Sequence, residues 1–383
     1  MNEIYLDNSA TTRPYPEVVG LAARVMSDIY GNPSSMHDLG LAAGQAVAEA
    51  RRQVAAVFNV NEKEITFTSG GTEANNIAVF GAARRNRNRG DHLVTTLVEH
   101  SSVLNCFRQL EQEGFRVDYL AVDNRGVIDP EALWALVNEK TTLVSIMHVN
   151  NELGSQQPLA EAGRIVKEIN GSAIFHVDAV QSFARLPLKI KEWQADLVTC
   201  SGHKIHGPRG AGCLWVNRGT QLQPLFFGGG QENGLRPGTE NTTAIAGFGL
   251  AAKMTASGQA GKAAQLMALK LTLIKELRES DINFKINGPD PEEGAPHILS
   301  LSFPGVKAEV LLHSLEAKGI YVSAGSACHS RRPEPSHVLE AIGLEEKLLK
   351  SALRFSFSTM NSETEIIHAA DGVAEAIREL QNI

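Results

Sequence analysis

Apolar and polar positions along this chain fall into two textures. From about residue 14 to 250, stretches with apolar residues at helical spacing alternate with short runs that are almost wholly apolar or β-branched. That order predicts a largely parallel sheet covered by helices. The strand candidates are EITFT (64–68), HLVTT (92–96), FRVDYL (115–120), TLVSIMHV (142–149), AIFHV (173–177), DLVTC (196–200) and AGCLWV (211–216). Each is short and mostly apolar, as strands buried on both faces are. The first helix opens at PYPE, carries Val18, Val19, Ala22, Val25, Met26 and Ile29 on one face, and stops at GNPSS. After RPGTENTTAIAGFGLAAKM the texture changes: a long helix over about 258–280 leads to a strand in HILSLSFPG, a helix from Ala308 to Lys318, the loop around Cys328 and a terminal helix. The pattern predicts an α/β protein. A large domain (12–255) holds a mostly parallel seven-stranded sheet, and a smaller α+β domain comprises 1–11 and 256–383.

Composition narrows the function classes. With 43% hydrophobic and 21% charged residues among 383, the chain is of ordinary globular type. Lys plus Arg number 36 against 43 Asp plus Glu, a net charge of −7, which argues against a direct nucleic-acid binder. The basic run RRNRNR (84–89) reads as a solvated helix end. MNEIYLDNSATT has neither a basic n-region nor an apolar h-region, and no apolar run approaches membrane-spanning length, so a cytoplasmic protein with no membrane partner is expected. Cys106, Cys200, Cys213 and Cys328 are too irregularly spaced for a disulfide framework or a zinc site, so no metal is expected.

The strand candidates are most informative at their C-terminal ends, where open α/β sheets bind ligands. TFT runs into SGGTEANN, VTTLV into EH, SIMHV into NNE, IFHV into DAVQS and LVTC into SGHK. Ser69-Gly70-Gly71-Thr72 precedes a helical pattern, so its backbone N–H groups and the helix dipole suit an anion. Alone, such a stretch is more often an N-cap turn than a phosphate site. Asp178, at a strand end, needs a cationic partner if it is buried. Lys204 offers an amine that, partly desolvated, forms a Schiff base with an aldehyde. A phosphate cup, a carboxylate for a ring nitrogen and an amine for an aldehyde together describe pyridoxal 5'-phosphate.

YLDNSATT, GNPSSMH, TSGGTEANN, VEHSSV, VNNELG, HVDAVQS, SGHKIHGPRG, GGGQENGLRPGTEN and GSACHS resemble, in order and spacing, the cysteine desulfurases of the NifS/IscS type, over essentially the whole chain. The resemblance implies the class V aminotransferase fold (pyridoxal-phosphate fold type I), a homodimer, and desulfuration of L-cysteine to L-alanine through a protein persulfide. It also implies a sulfur-acceptor protein that serves iron–sulfur clusters or thiolated nucleic acids or cofactors. Lys204 then matches the cofactor lysine and His100 the imidazole stacked on the cofactor ring. Asp178 matches the partner of the ring nitrogen and Gln181 the donor to the ring hydroxyl. Gly71, Thr72, Ser201 and His203 match phosphate ligands, and Thr239 matches the residue that reaches the phosphate from the other subunit. Asn151 and Arg354 match the holders of the substrate carboxylate, as a bidentate fork suits a carboxylate. Arg354 pairing with an Asp at the sheet edge, and Asn150 in place of Asn151, stay open. Cys328 matches the nucleophile. It lies in SAGSACHSRRPEP, where small residues, two arginines and two prolines predict a mobile, exposed loop whose positive charge favours thiolate. In the implied reaction the Lys204 amine removes the substrate Cα proton, Cys328 attacks the sulfur, and the loop carries it to the acceptor. ACHS, FGGGQE and RPGTEN also resemble selenocysteine lyases. A selenocysteine lyase, or an aminotransferase of the same fold, is the alternative.

Overall fold

A computed structural model describes residues 3–324 and 336–381, so Cys328 lies outside the described residues. After a short strand β1 (Ile4–Tyr5), helices α1 (Pro16–Asp28) and α2 (Asp38–Phe58) lead to β2 (Ile65–Thr68) and α3 (Gly71–Asn86). The chain continues through β3 (His92–Thr96), α4 (Ser101–Gln112), β4 (Arg116–Leu120), α5 (Pro130–Leu136), β5 (Thr141–Ser145), α6 (Leu159–Ile169), β6 (Ile174–Asp178), β7 (Leu197–Ser201) and β8 (Gly212–Val216). Strands β2 to β8 form one seven-stranded sheet in the order β2-β8-β7-β6-β5-β3-β4.

Neighbours in this sheet are parallel except where β8 is involved, which runs antiparallel to both β2 and β7. A parallel return needs a crossover of a dozen or more residues, commonly a helix, and the link from Ser201 to Gly212 is shorter than that. The chain therefore doubles back beside β7, and the link carrying Lys204 stays at the strand ends. Both faces of the sheet are covered. Val47, Val54, Phe58, Phe183 and Phe248 meet one face, and Ile77, Ala78, Val103, Phe107 and Leu110 meet the other. This double burial explains why the strands read as continuous apolar runs.

Helix α1 differs from its expected apolar face. Val18 and Val25 are buried, whereas Val19 and Met26 are exposed. Residues 18 and 25 are two turns apart and form the line along which α1 meets α7 (Thr242–Ala256). Ala22 and Ile29 beside this line are half-buried. The basic run behaves as expected: Arg84 pairs with Glu113, and Arg84 and Arg87 lie over the rings of Phe80 and Phe115.

Beyond α7, the long helix α8 (Gln259–Glu279) leads to β9 (Lys285–Asn287), β10 (Ile298–Ser302), α9 (Ala308–Ala317), β11 (Ile320–Tyr321) and β12 (Ser323–Ala324). Next come α10 (His337–Ala341), α11 (Glu346–Leu349), β13 (Ala352–Ser356) and α12 (Glu363–Gln381). An antiparallel sheet in the order β12-β13-β10-β9 packs Leu299, Leu301, Leu353 and Phe355 against Leu273, Leu311, Ile366 and Val373. The N-terminal segment joins this part of the molecule: β1 pairs with β11, and Asp7 bridges Ser356.

Candidate active site

The end of β2 turns sharply into α3. Gly70 has φ 156° and ψ −178°, a region open essentially only to glycine. On the other side, a Cβ on Gly212 would lie 2.8 Å from the Gly70 Cα and 2.7 Å from the Cys200 carbonyl, so β8 presses directly on the turn. The outcome is an α3 N-terminus, with Gly71 and the exposed Thr72, aimed out of the strand ends. Glu73 braces it, accepting from Ser69 N at 2.6 Å and Arg236 Nε at 2.9 Å. Desolvation would raise this carboxyl, but the two donors outweigh it and hold it below the usual carboxylate range.

Asp178 ends β6 and is 3% exposed. Its Oδ1 accepts from Val180 N at 2.9 Å and its Oδ2 from Asn75 Nδ2 at 2.8 Å. Among the described residues it makes no salt bridge. The same Asn75 nitrogen donates to Ser102 Oγ at 2.9 Å, while Thr199 Oγ1 donates to Asn75 Oδ1 at 2.6 Å. Ser102 Oγ in turn lies 2.8 Å from Nδ1 of His100, the N-cap of α4. His100 and Asp178 are thus connected through two residues that the sequence reading did not name.

Lys204 lies in the turn after β7. Its Nζ donates to the carbonyls of Ser9 at 2.6 Å and Ala10 at 2.8 Å, and Gln181 Nε2 donates to the same Ser9 carbonyl at 3.0 Å. Buried Arg185 donates to the Lys204 carbonyl from behind. Burial, followed by the charges of Lys204 and Arg209, pushes His203 down to about 4, so it is neutral at pH 7. His206, with φ 65°, belongs to the scaffold: its ring donates to Arg13 O, accepts from Ser358 Oγ and stacks on Tyr15.

Arg354, in β13, donates through NH2 to Asp7 Oδ1 at 2.8 Å and through NH1 to Asn151 O at 2.9 Å. The pairing with an acidic residue at the sheet edge is therefore realised, with Asp7 as the partner. The two asparagines differ in how they are employed. Asn150 is fully employed by Val98 O, Glu152 N and Leu153 N, whereas Asn151 Oδ1 is buried without a partner.

Buried polar atoms are nearly always hydrogen-bonded. Asn151 Oδ1, Gln181 Oε1, Ser201 Oγ and Arg354 Nε are not, and all four belong to residues singled out from the sequence. They are four of the twelve unpartnered buried side-chain atoms among the described residues, and each is available to a polar ligand. Thr239 is exposed on the segment before α7, outside this group. The three described cysteines are buried. Residues missed in the sequence are Asp7, Asn75, Glu99 and Ser102; the repeated carboxamide of TEANN and the acid of VEH were the available signals.

Glu99 is fully buried, accepting from Met147 N at 2.7 Å and Thr96 Oγ1 at 3.0 Å through one oxygen. Burial, with the charge of Asp178 adding to it, lifts this carboxyl to about 8. Because the folded protein holds this proton more tightly than the unfolded chain, stability falls as pH rises from about 4.5 to 8. Glu99→Gln, which imitates the protonated form, is expected to gain on wild type by roughly 3 kcal/mol between pH 5 and 8. Urea unfolding at both pH values measures this, and a constant difference would show that Glu99 is ionised throughout.

The profile of the family described as "Aminotransferase class-V" matches residues 4–368. A Bacillus subtilis (strain 168) protein described as "Putative cysteine desulfurase IscS 1" is 41% identical over 381 residues, covering 99% of this chain and 100% of that one. "Cysteine desulfurase IscS" of Methanosarcina thermophila is 39% identical, covering 99% and 93%. Among solved structures, one described as a "NIFS-LIKE PROTEIN" superposes with a TM-score of 0.93 at 36% identity, covering 99% of this chain and 100% of its own. Another, "SspA in complex with cysteine", gives 0.80 at 33%, covering 93% and 99%. Fold, family profile and whole-length similarity agree: the chain belongs to the class V aminotransferase family.

Proposed function

We propose that this chain is a pyridoxal-phosphate-dependent cysteine desulfurase that converts L-cysteine to L-alanine and leaves the sulfur as a persulfide on Cys328. The observation that carries the cofactor is Asp178, a buried carboxylate held by two neutral donors beside the strand that leads to Lys204. A carboxylate so placed is costly without a cation, and a protonated ring nitrogen supplies one. The unpartnered atoms fit the same group. Ser201 Oγ, with His203, Thr72 and the N–H groups at Gly71, suits its phosphate; Gln181 offers Oε1 and an N–H to its ring hydroxyl; Lys204 offers the amine for its aldehyde.

Pyridoxal phosphate, when bound, supplies an electrophilic carbon for amines and an electron sink for charge developing at the substrate Cα. The chain's residues do the rest. The Lys204 amine takes the Cα proton and later returns a proton. Its resting partners include the backbone carbonyls of Ser9 and Ala10. Arg354, aimed by Asp7, and Asn151 hold the substrate carboxylate. The Cys328 thiolate attacks the substrate sulfur, the Cβ–S bond breaks, and the bond's electron pair passes to the alanine fragment, whose Cβ then takes a proton.

Exposed Met26, Tyr30, Met36, Phe226 and Phe227 support the homodimer in which Thr239 serves the partner's phosphate site. The same reading divides the chain into a large unit (12–255) and a small one (1–11 and 256–383), and places the enzyme in the cytoplasm, delivering sulfur to an acceptor protein. No helix among the described residues is long and apolar enough to cross a membrane. The test is incubation of the holoenzyme with L-cysteine, assaying the organic product and locating sulfur by mass spectrometry of the intact protein. Alanine with one added sulfur on the Cys328 peptide is expected; pyruvate in place of alanine would point to transamination.

A further inference from the structure

We propose that Asn75 and Ser102 are positioning residues that fix which ring nitrogen of His100 carries its proton. The inference rests on the proposed function for its purpose, although not for its geometry. An ionised Asp178 only accepts, so the Asn75 group facing Oδ2 is the amide nitrogen. Thr199 Oγ1, 2.6 Å from Asn75 Oδ1, agrees with that orientation. The other Asn75 N–H reaches Ser102 Oγ at 2.9 Å and takes one of its lone pairs. The Ser102 hydroxyl proton is thereby left for His100 Nδ1 at 2.8 Å. The backbone N–H of Ser102 also donates to that nitrogen, at 3.1 Å. Donors thus run in one direction, from the carboxamide beside Asp178 to Nδ1, which must hold a lone pair, and the ring proton sits on Nε2.

Position in the fold reinforces this polarity. His100 caps the N-terminus of α4, where the helix dipole disfavours a cationic imidazole. A neutral ring is what stacking on a protonated pyridine requires, since two cationic rings repel. The relay joins the group that would keep the cofactor nitrogen protonated to the ring that would lie over it. Proton uptake and release are directed to Nε2. Among the described residues, ionisable groups near this relay include Glu99 on the preceding residue, Asp178 at its far end, Cys106, whose Sγ donates to the Ser102 carbonyl, and His337 of α10, whose Nε2 meets the Glu99 carbonyl at 3.0 Å. The substitutions below leave all four in place.

The experiment is a nitrogen-15 NMR titration of the cofactor-free protein, with the His100 ring signals identified by their loss in His100→Gln. Wild type is expected to show a proton on Nε2 alone. In Ser102→Ala the His100 midpoint should rise by about one pH unit, because one donor to the lone pair is gone. Asn75→Ala should move it in the same direction, since a released Ser102 hydroxyl can turn and accept from a protonated Nδ1. Ser102→Thr, which keeps the hydroxyl, should restore the wild-type midpoint. An unchanged tautomer and midpoint in both alanine variants would overturn the relay, even in an enzyme that turns over L-cysteine. Loaded protein that shows the shift but makes no alanine would instead overturn the proposed function and leave the relay standing.

Discussion

Lys204→Ala is expected to lower L-cysteine turnover by roughly a thousandfold or more, while the protein remains folded. A positioned acid–base group contributes about 10²–10⁴ in rate, and here the same amine also serves as the attachment point for the cofactor aldehyde. The substitution costs little structurally. The bonds lost include those to the Ser9 and Ala10 carbonyls, and Ser9 keeps its bond from Gln181 Nε2. The backbone of Lys204 is held independently, through the donor from Arg185. Turnover, thermal unfolding and the visible absorbance of added pyridoxal phosphate distinguish the cases. A variant that keeps its stability, its cofactor absorbance and its rate would remove Lys204 from the chemistry altogether.

Cys328→Ala should abolish persulfide formation and alanine production from L-cysteine, with cofactor binding intact. The chain has four cysteines, and the structure disqualifies the other three as accessible nucleophiles. Burial pushes the Cys106 thiol up to about 12 and raises that of Cys200, and Cys213 is enclosed in the antiparallel pairing of β7 and β8. Thiolate is the reactive form, so thiols in such surroundings are inert near neutrality. The variant also separates the competing chemistries. If it turned over selenocysteine at the wild-type rate, the chain would be a lyase of the same fold. If it still made alanine from L-cysteine at the wild-type rate, the persulfide mechanism would fail.

The large sheet was legible because both of its faces are buried. Continuous apolar runs such as HLVTT and DLVTC leave little choice of structure, and their observed limits fall within a few residues of expectation. The antiparallel sense of β8 follows from the length of a loop rather than from any residue type. On α1 the apolar pattern was real, but two of its six residues face away from this chain: Val18 packs inside, while Val19 and Met26 do not. A single chain's periodicity carries no label for which partner covers it. At the site, the strand-end positions of Asp178, Lys204 and Ser201 could be read directly. Asn75 and Ser102 could not, because a polar residue on a helix is ordinarily solvated, and only the fold reveals that these two meet 27 residues apart in sequence.

The N-terminal segment gives the fold a temporal order. Asn8 Nδ2 bonds the Ser356 carbonyl 348 residues away, and the Ser9 carbonyl receives Lys204 Nζ across 195. Contacts of such separation form late, since the chain entropy of closing them must be overcome first. Ser9, Ala10 and Thr12 meet Gln181, His203 and Lys204 in the middle of the chain, whereas Asn8 reaches its Ser356 partner only once β13 exists. A chain truncated before β13 would therefore keep the Lys204 bonds to Ser9 and Ala10 but lose the Ser356 anchor that fixes this segment, leaving the lysine's cradle tied down at one end only.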